Sequence, residues 1–214
     1  MNLRIFENHE DLSHAAARAI RQSGAKTIGV TGGSTPKRLY EILADSLPEE
    51  VTWVLVDERY VPFDDPQSNA AMIERTLFRG GLPRRWLKFD TSLNDPALTA
   101  RRFEEQWDFG DLDLVLLGCG EDGHTASLFP GTPVLDVVDR IASEVYVPRL
   151  EQWRVTITMP VIRAAKLRLV LASGPSKMPV IEQVREGEDL PVARATAGID
   201  TWWLCSAAAA PPLV

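Results

Sequence analysis

The chain has 214 residues, 45% of them hydrophobic and 25% charged, and its 30 acidic against 23 basic residues give a net charge of −7. This acidic balance argues against a general nucleic-acid-binding protein, and the apolar runs are shorter than the roughly 18 residues of a membrane span. The acidic start argues against a signal peptide, and two cysteines cannot form a disulfide framework, so we expect a cytoplasmic protein. From the length we expect residues 1–214 to form a single domain.

The first half of the chain alternates between helix and strand patterns. Apolar residues at helical spacing predict a helix over residues 11–21, with Gly24 as its stop. A short apolar strand over residues 27–31 then runs into a Gly-rich segment and a second helix. The following predicted elements are strand 51–56, helix 70–78, strand 86–89 and helix 95–107.

The second half continues the alternation. Strand 112–117 runs into a Gly-rich turn, and the later elements are strands 154–158, 167–171 and 201–204 and a helix after Pro175. We expect the low-complexity tail, residues 207–212, to fray or pack loosely. Because the strands are apolar throughout and alternate with helices, we predict a three-layer α/β fold with a mostly parallel, doubly wound sheet. In such sheets ligands bind where strands end.

The first candidate site follows strand 27–31. It contains Gly32, Gly33, Ser34, Thr35 and Pro36. The glycines allow backbone N–H groups to approach an anion, the hydroxyls add donors, and the helix dipole favours negative charge. A tight turn with an N-cap would use the same residues, and the lysine of a P-loop is missing, so nucleotide binding is not indicated.

The second candidate is the acidic and basic cluster Asp57, Glu58 and Arg59 at the end of a Val-rich strand. Arg59 could pair with a phosphate or carboxylate at this position. A solvated loop with a local ion pair is the alternative.

The third candidate is the glycine turn over residues 118–125, which contains Gly118, Gly120, Gly123 and His124. It matches a dinucleotide-binding pattern by chance, since its acidic residues would repel a pyrophosphate and Pro130 comes too early for a long helix. Histidine is the side chain best suited to proton transfer near neutral pH, and this one lies at a strand-to-helix turn.

The remaining reactive side chains favour no other chemistry. We interpret His9 and His14 as solvated residues of the first helix. Cys119 has acidic neighbours that would raise its thiol pKa, which favours a packing role. There is no nucleophile elbow of serine hydrolases and no metal-ligand spacing, so we expect neither a metal nor another cofactor.

Taken together, these segments resemble the 6-phosphogluconolactonase family, over residues 27–204. The motifs are residues 32–36, the Asp57 cluster with Ser68 and Asn69, and above all residues 118–130; weaker ones surround Arg154, Met159, Lys177 and Pro191. The related glucosamine-6-phosphate deaminases share two of these motifs but carry an acidic residue before the proline, where residues 127–129 have none.

The resemblance implies hydrolysis of 6-phospho-D-glucono-1,5-lactone to 6-phosphogluconate in the pentose phosphate pathway. It implies His124 as general base, with Asp122 or Asp57 orienting it. The phosphate would bind to Gly33, Ser34, Thr35, Arg59, Arg154 and Lys177. Arg154 begins a predicted strand and would therefore lie at the opposite edge of the sheet unless the chain bends. We expect a monomer or weak homodimer that binds no nucleic acid and no membrane.

Two alternatives stay open: an amino-sugar-phosphate deaminase or isomerase, and a non-catalytic sugar-phosphate-binding module. The chain also departs from the family pattern at three places. One is Cys119, the second is Arg163, where the family commonly has asparagine, and the third is near Cys205, where the family commonly has aspartate. Arg163 would either add a phosphate contact or lie at the surface.

Overall fold

A computed structural model describes residues 1–47, 50–79, 81–198 and 200–212. Its main sheet has seven strands in the order β1-β10-β9-β6-β2-β3-β5. These strands are β1 Asn2–Phe6, β2 Thr27–Val30, β3 Thr52–Leu55, β5 Arg85–Leu87, β6 Leu114–Gly118, β9 Leu167–Ala172 and β10 Thr201–Ser206. Every recorded pairing in this sheet is parallel.

Helices connect the parallel strands and flank the sheet, which confirms the predicted α/β fold. They are α1 His9–Ser23, α2 Thr35–Ala44, α3 Asn69–Thr76, α4 Pro96–Glu105, α5 Met159–Ala164, α6 Met178–Glu186 and α7 Pro191–Ala195. The first helix begins where the Asn8 side chain accepts the Asp11 N–H at 2.9 Å, and it ends at Gly24, whose φ of 65° suits glycine. Among the described residues, no helix is long and apolar enough to cross a membrane.

The strand order creates a switch point between β2 and β6. These two strands are neighbours, but the chain leaves β2 towards β3 on one side and β6 towards β9 on the other. Loops at such a point separate from each other and leave a crevice at the carboxyl ends of the strands. The glycine segment after β2 and the glycine turn after β6 therefore border the same crevice.

A second, antiparallel sheet was not predicted. It contains β4 Asp57–Arg59, β8 Gln152–Ile157 and β7 Ala142–Val147 in that order. Val56 joins the two sheets, because its N–H donates to Val30 in the main sheet while its carbonyl accepts from Ile157, both at 2.9 Å. The Asp57–Arg59 cluster is thus a strand and not the solvated loop of the alternative interpretation, because backbone pairing with β8 fixes it.

Two further elements differ from expectation. The edge strand β1 carries Asn2 and Arg4 and is largely exposed, so its sequence has no apolar run to indicate a strand. The tail packs better than predicted, because it forms a 3-10 turn over Ala207–Ala209 and Ala209 is buried in the core. An alanine-rich segment carries no sequence signal for such docking.

Candidate active site

A cavity of about 400 Å³ opens at the crevice between β2 and β6. The antiparallel strands β4 and β8 and the 3-10 turn Pro175–Lys177 form its other walls. Eight of the nine predicted site residues line it: Gly33, Ser34, Thr35, Asp57, Arg59, His124, Arg154 and Lys177. The ninth, Asp122, is hydrogen-bonded to His124.

The glycine segment after β2 does not use its serine as a helix cap. Ser34 occupies the N-cap position of α2, but its hydroxyl makes no capping hydrogen bond. Gly33 precedes it with a φ of 101°, in the left-handed region that favours glycine, and both residues are exposed. Since the first N–H groups of a helix have no partner within the helix, an anion is favoured at the start of α2. The unused hydroxyl supports the anion-binding interpretation over a simple capped turn.

The glycine turn after β6 holds a histidine–aspartate pair. The Gly120 N–H donates to the His124 carbonyl at 2.8 Å, and Gly123 turns the chain with a φ of 79°. One carboxylate oxygen of Asp122, Oδ1, contacts the His124 Nδ1 and also accepts the His124 backbone N–H at 3.3 Å. Because Nδ1 is engaged, Nε2 is the nitrogen left for proton transfer, and the His124 side chain is 28% exposed.

Asp122 is a carboxylate at any physiological pH. Burial acts to raise its pKa, but the hydrogen bond and charge of His124, together with the charge of Arg149, lower the pKa to about 2. A carboxylate at Nδ1 keeps the proton on that nitrogen and stabilises the imidazolium once Nε2 accepts a proton. The ring itself is held by stacking on Phe129, with 4.2 Å between the ring centroids.

Asp57 is a buried carboxylate at the side of the cavity. It accepts hydrogen bonds from Ser127 Oγ at 2.7 Å and from Thr31 Oγ1 at 3.4 Å. Of the two carboxylates expected to orient His124, Asp122 is therefore the one that contacts the ring.

Arg59 and Arg154 are direct cross-strand neighbours in the antiparallel sheet. The Arg154 side chain was expected at the opposite edge, and this expectation is wrong because β8 pairs with β4 beside the crevice rather than with the main sheet. Arg154 is 9% exposed, and within the described part of the chain the buried Nε atoms of both arginines have no hydrogen-bond partner. Burial also lowers the pKa of Arg154. The Arg59 Nη1 donates to the Gln67 carbonyl at 2.6 Å, so Arg154 is the arginine whose guanidinium is nearly buried with an unused donor. Such a group at a cavity wall favours a bound anion.

Lys177 supplies a third positive charge from the opposite wall. Its ammonium lies 3.9 Å from the Glu121 carboxylate, too far for a hydrogen bond. The loop before it is anchored, because the Ser206 hydroxyl accepts the Gly174 N–H at 3.2 Å. Lys177 is thus held at the cavity, and among the residues that the structure describes it makes no ion pair closer than this one.

Two other residues, Glu58 and Cys119, prove to be structural. Glu58 is buried and accepts the Asn69 and Ala70 N–H groups, each at 2.8 Å, so it caps α3. The thiol of Cys119 is buried, which raises its pKa to about 12, with a smaller contribution from Asp122. The charge of Lys177 opposes this increase without cancelling it. A thiol with a raised pKa is a poor nucleophile near neutral pH, which supports the predicted packing role.

Three positions outside the cavity test earlier expectations. Arg163 is exposed and does not line the cavity, which makes it a surface residue. His14 is exposed as predicted, but His9 is half-buried and its Nε2 lies 2.9 Å from the Thr35 carbonyl oxygen. The prediction of a solvated His9 is therefore wrong.

The prediction of a helix after the His124 turn is also wrong, since residues 119–141 contain turns and the 3-10 helix Pro133–Asp136.

Sequence reasoning missed two residues of the site. Arg149 contacts the second oxygen of Asp122, and nothing in its sequence context indicates this. Asn69 lines the cavity and its Nδ2 donates to the Asp57 carbonyl at 2.9 Å. The sequence did offer a signal for Asn69, because this residue belongs to one of the motifs that carry the resemblance. In the structure it packs closely on Gly32, where a Cβ would lie 1.7 Å from Asn69 Oδ1.

Comparison with known proteins identifies similar sequences and similar folds. The 6-phosphogluconolactonase of Nostoc sp. is 40% identical over 179 residues, covering 78% of this chain and 74% of that protein. A crystal structure of 6-phosphogluconolactonase from Leishmania guyanensis has a TM-score of 0.85 at 29% identity and covers 97% of both chains. A monomeric glucosamine-6-phosphate deaminase has a TM-score of 0.84 at 24% identity over 98% of both chains, which shows a shared fold alone.

A family model described as glucosamine-6-phosphate isomerases/6-phosphogluconolactonase matches residues 6–203. That range includes the whole cavity and both sheets apart from the chain ends. The chain belongs to the family of glucosamine-6-phosphate isomerases and 6-phosphogluconolactonases.

Proposed function

We propose that this protein hydrolyses 6-phospho-D-glucono-1,5-lactone to 6-phosphogluconate, a step of the pentose phosphate pathway. The observation that carries the proposal is that one cavity joins the His124–Asp122 pair to Arg154 and Lys177, which make no close ion pair with any described residue. The His124–Asp122 pair supplies the base that ester hydrolysis requires, and the positive groups supply the charge that binds a phosphate. Relatives named 6-phosphogluconolactonase at up to 40% identity support the same activity.

The substrate phosphate binds between the start of α2 and the basic walls. Gly33, Ser34 and Thr35 offer backbone N–H groups and hydroxyls, while Arg59, Arg154 and Lys177 offer the charges. A chain with a net charge of −7 needs such a local positive region to hold a dianion. Asp57 lies among these cations and limits their mutual repulsion when the cavity is empty.

His124 acts first as a base and then as an acid. Its Nε2 removes a proton from water as the water oxygen attacks the lactone carbonyl carbon, and Asp122 stabilises the resulting imidazolium. The bond to the ring oxygen then breaks, and the imidazolium returns the proton to that oxygen. The products are the open hydroxy acid and neutral His124, so atoms and charge balance.

The tetrahedral intermediate carries a negative oxygen that needs hydrogen-bond donors. The backbone N–H groups of the two glycine turns are the candidates, since these turns border the cavity. A lactone is already reactive, so a positioned base contributes on the order of 10²–10⁴ in rate.

The deaminase alternative is disfavoured by residues 127–129. Ser127 is buried and bonded to Asp57, Leu128 is buried, and Phe129 packs against the His124 ring, so this segment supplies no acidic group. The binding-module alternative is disfavoured by the Asp122 contact, which has no purpose in a site that only holds a ligand.

The test is direct assay of lactone opening, corrected for spontaneous hydrolysis. We expect enzyme-dependent hydrolysis of the 6-phosphorylated lactone and no ammonia release from glucosamine 6-phosphate. Ammonia release would instead support the deaminase, and binding of 6-phosphogluconate without turnover would support the binding module. Unphosphorylated glucono-1,5-lactone should be a much poorer substrate, since it cannot engage the basic walls.

Lys177→Ala should raise KM about tenfold with a smaller change in kcat, because a charge-assisted hydrogen bond contributes roughly 1.5–3 kcal/mol. Steady-state kinetics on the phosphorylated lactone measures this. Lys26→Ala is the matched control, because Lys26 is exposed and pairs with Glu50 away from the cavity. A fall in kcat at unchanged KM would contradict the assignment of Lys177 to phosphate binding.

Gly120→Ala should abolish most activity without unfolding the chain. A Cβ at this position would lie 2.0 Å from His124 Nδ1, which forces the imidazole away from Asp122. Gly81→Ala is the control, because its nearest new contact is an ordinary 3.6 Å. Activity near the wild-type rate would show that the His124–Asp122 contact is dispensable.

We also infer that residues 1–214 act as a single catalytic domain, as a cytoplasmic monomer or weak homodimer. One continuous buried core supports the single domain. Size-exclusion chromatography with light scattering tests the oligomeric state, and cell fractionation tests the location.

A further inference from the structure

Arg149 lies outside the cavity but contacts its catalytic pair. It belongs to the 3-10 turn Pro148–Leu150 between β7 and β8, which Glu151 closes with its N–H on the Pro148 carbonyl at 3.1 Å. The Arg149 Nη2 donates to Asp122 Oδ2, while Oδ1 of the same carboxylate contacts His124. Asp122 is therefore shared between a base and a permanent cation.

A second observation links the same groups. Phe129 stacks with the His124 ring, and the guanidinium carbon of Arg149 lies 5.2 Å from the Phe129 centroid. The guanidinium carbon of Arg154 lies 6.0 Å from it. An aromatic ring attracts cations, so Phe129 helps to hold Arg149 beside the pair despite the nearby positive charges.

We propose that Arg149, acting through Asp122, keeps His124 in its neutral, proton-accepting form near neutral pH. An aspartate carboxylate with no other partner would place its full charge on the imidazole and favour the imidazolium, which cannot act as a base. Arg149 offsets that charge and fixes the carboxylate. It is thus a positioning residue, and its catalytic consequence rests on the proposed function.

Other charged or titratable groups also lie around His124, and the effect of Arg149 adds to theirs. They come from the glycine turn, β4, β8 and the turn before α6: Cys119, Glu121, Asp122, Asp57, Arg59, Arg154 and Lys177. Among these, Asp122 is the one that contacts Arg149, so removal of Arg149 changes the charge at one defined point.

The first experiment follows the histidine titrations by NMR. The chain has three histidines, so His124→Ala assigns the His124 signal, and His9 and His14 serve as internal references. In Arg149→Met we expect the His124 midpoint to rise by about half a pH unit, a modest size because the Arg149 side chain is 55% exposed and screened. Arg149→Lys should titrate like wild type.

Two controls sharpen the measurement. Arg102→Met removes an equally exposed arginine that pairs with Glu105 on α4, and it should leave the His124 midpoint unchanged. Salt near 1 M, where the Debye length is about 3 Å, should shrink the shift in Arg149→Met. A midpoint that stays constant or falls in Arg149→Met overturns the proposal.

The second experiment measures kcat/KM against pH. The acidic limb of Arg149→Met should move upward by the same half unit, with a smaller change on the alkaline plateau. A uniform loss at every pH would indicate a structural role and overturn the proposal. If the wild-type protein opened no lactone, the proposed function would fail while the NMR titration still tested the Arg149 arrangement.

Discussion

Replacing His124 with alanine is expected to lower kcat for lactone opening by about 10²–10⁴-fold while KM changes little. The ring supplies the proton acceptor, whereas the groups assigned to the phosphate lie on other walls of the cavity. His124 is partly exposed, so its loss should cost little stability. Initial rates at several lactone concentrations, corrected for spontaneous hydrolysis, separate the two parameters.

His14→Ala is the matched control, since His14 is exposed and contacts Glu10 on α1. His124→Gln adds a second variant that retains side-chain bulk against Phe129 but cannot act as a base. Both His124 variants should still bind 6-phosphogluconate, measured by calorimetry. A His124 variant that retained most of the wild-type kcat would disprove the mechanism.

Replacing Arg154 with methionine should raise KM for the phosphorylated lactone by about 10–100-fold without destabilising the ligand-free protein. The guanidinium is nearly buried and its Nε has no hydrogen-bond partner in the described part of the chain. The binding loss follows from roughly 1.5–3 kcal/mol for a charge-assisted hydrogen bond. The stability should stay equal or rise, because burial of the guanidinium disfavours its charged form by more than the attraction of Asp57 offsets.

Two measurements check the two halves of this prediction. Kinetics on phosphorylated and unphosphorylated lactone should show that Arg154→Met weakens discrimination between them. Thermal unfolding should show an equal or higher Tm without ligand, and a smaller rise on addition of 6-phosphogluconate than in wild type. Arg102→Met should match wild type in both. A large fall in Tm in Arg154→Met would mean that the arginine serves the fold instead.

The balance of charge in the cavity explains why Arg154 tolerates burial. Asp57 raises the pKa of Arg154 and so opposes the effect of burial, while Arg59 on the adjacent strand lowers it. Asp57 is in turn bound by Ser127 and Thr31, which fix its position. The cavity therefore keeps its cations in place before any ligand arrives, which reduces the reorganisation needed on binding.

The fold was predictable where apolar periodicity is strong. β2, β3, β6 and β9 are apolar strands in the main sheet and were predicted within one or two residues. The exposed edge strand β1 was missed because its sequence has no apolar run. The pairing of β4 with β8 was missed because its partners lie 95 or more positions apart, as at Arg59 and Arg154. Such pairing leaves no local pattern.

The amino-acid sequence alone determined the residue types and the local turns of the candidate site. Gly33, Ser34 and His124 follow strands that a parallel sheet aligns at one edge, so their convergence could be expected. The tertiary structure alone decided that Arg154 faces the cavity and that Asp122, not Asp57, contacts His124. It also added Arg149 to that pair. The physical reason is that local propensity governs turns and periodic faces, whereas a contact between distant segments depends on how whole sheets pack.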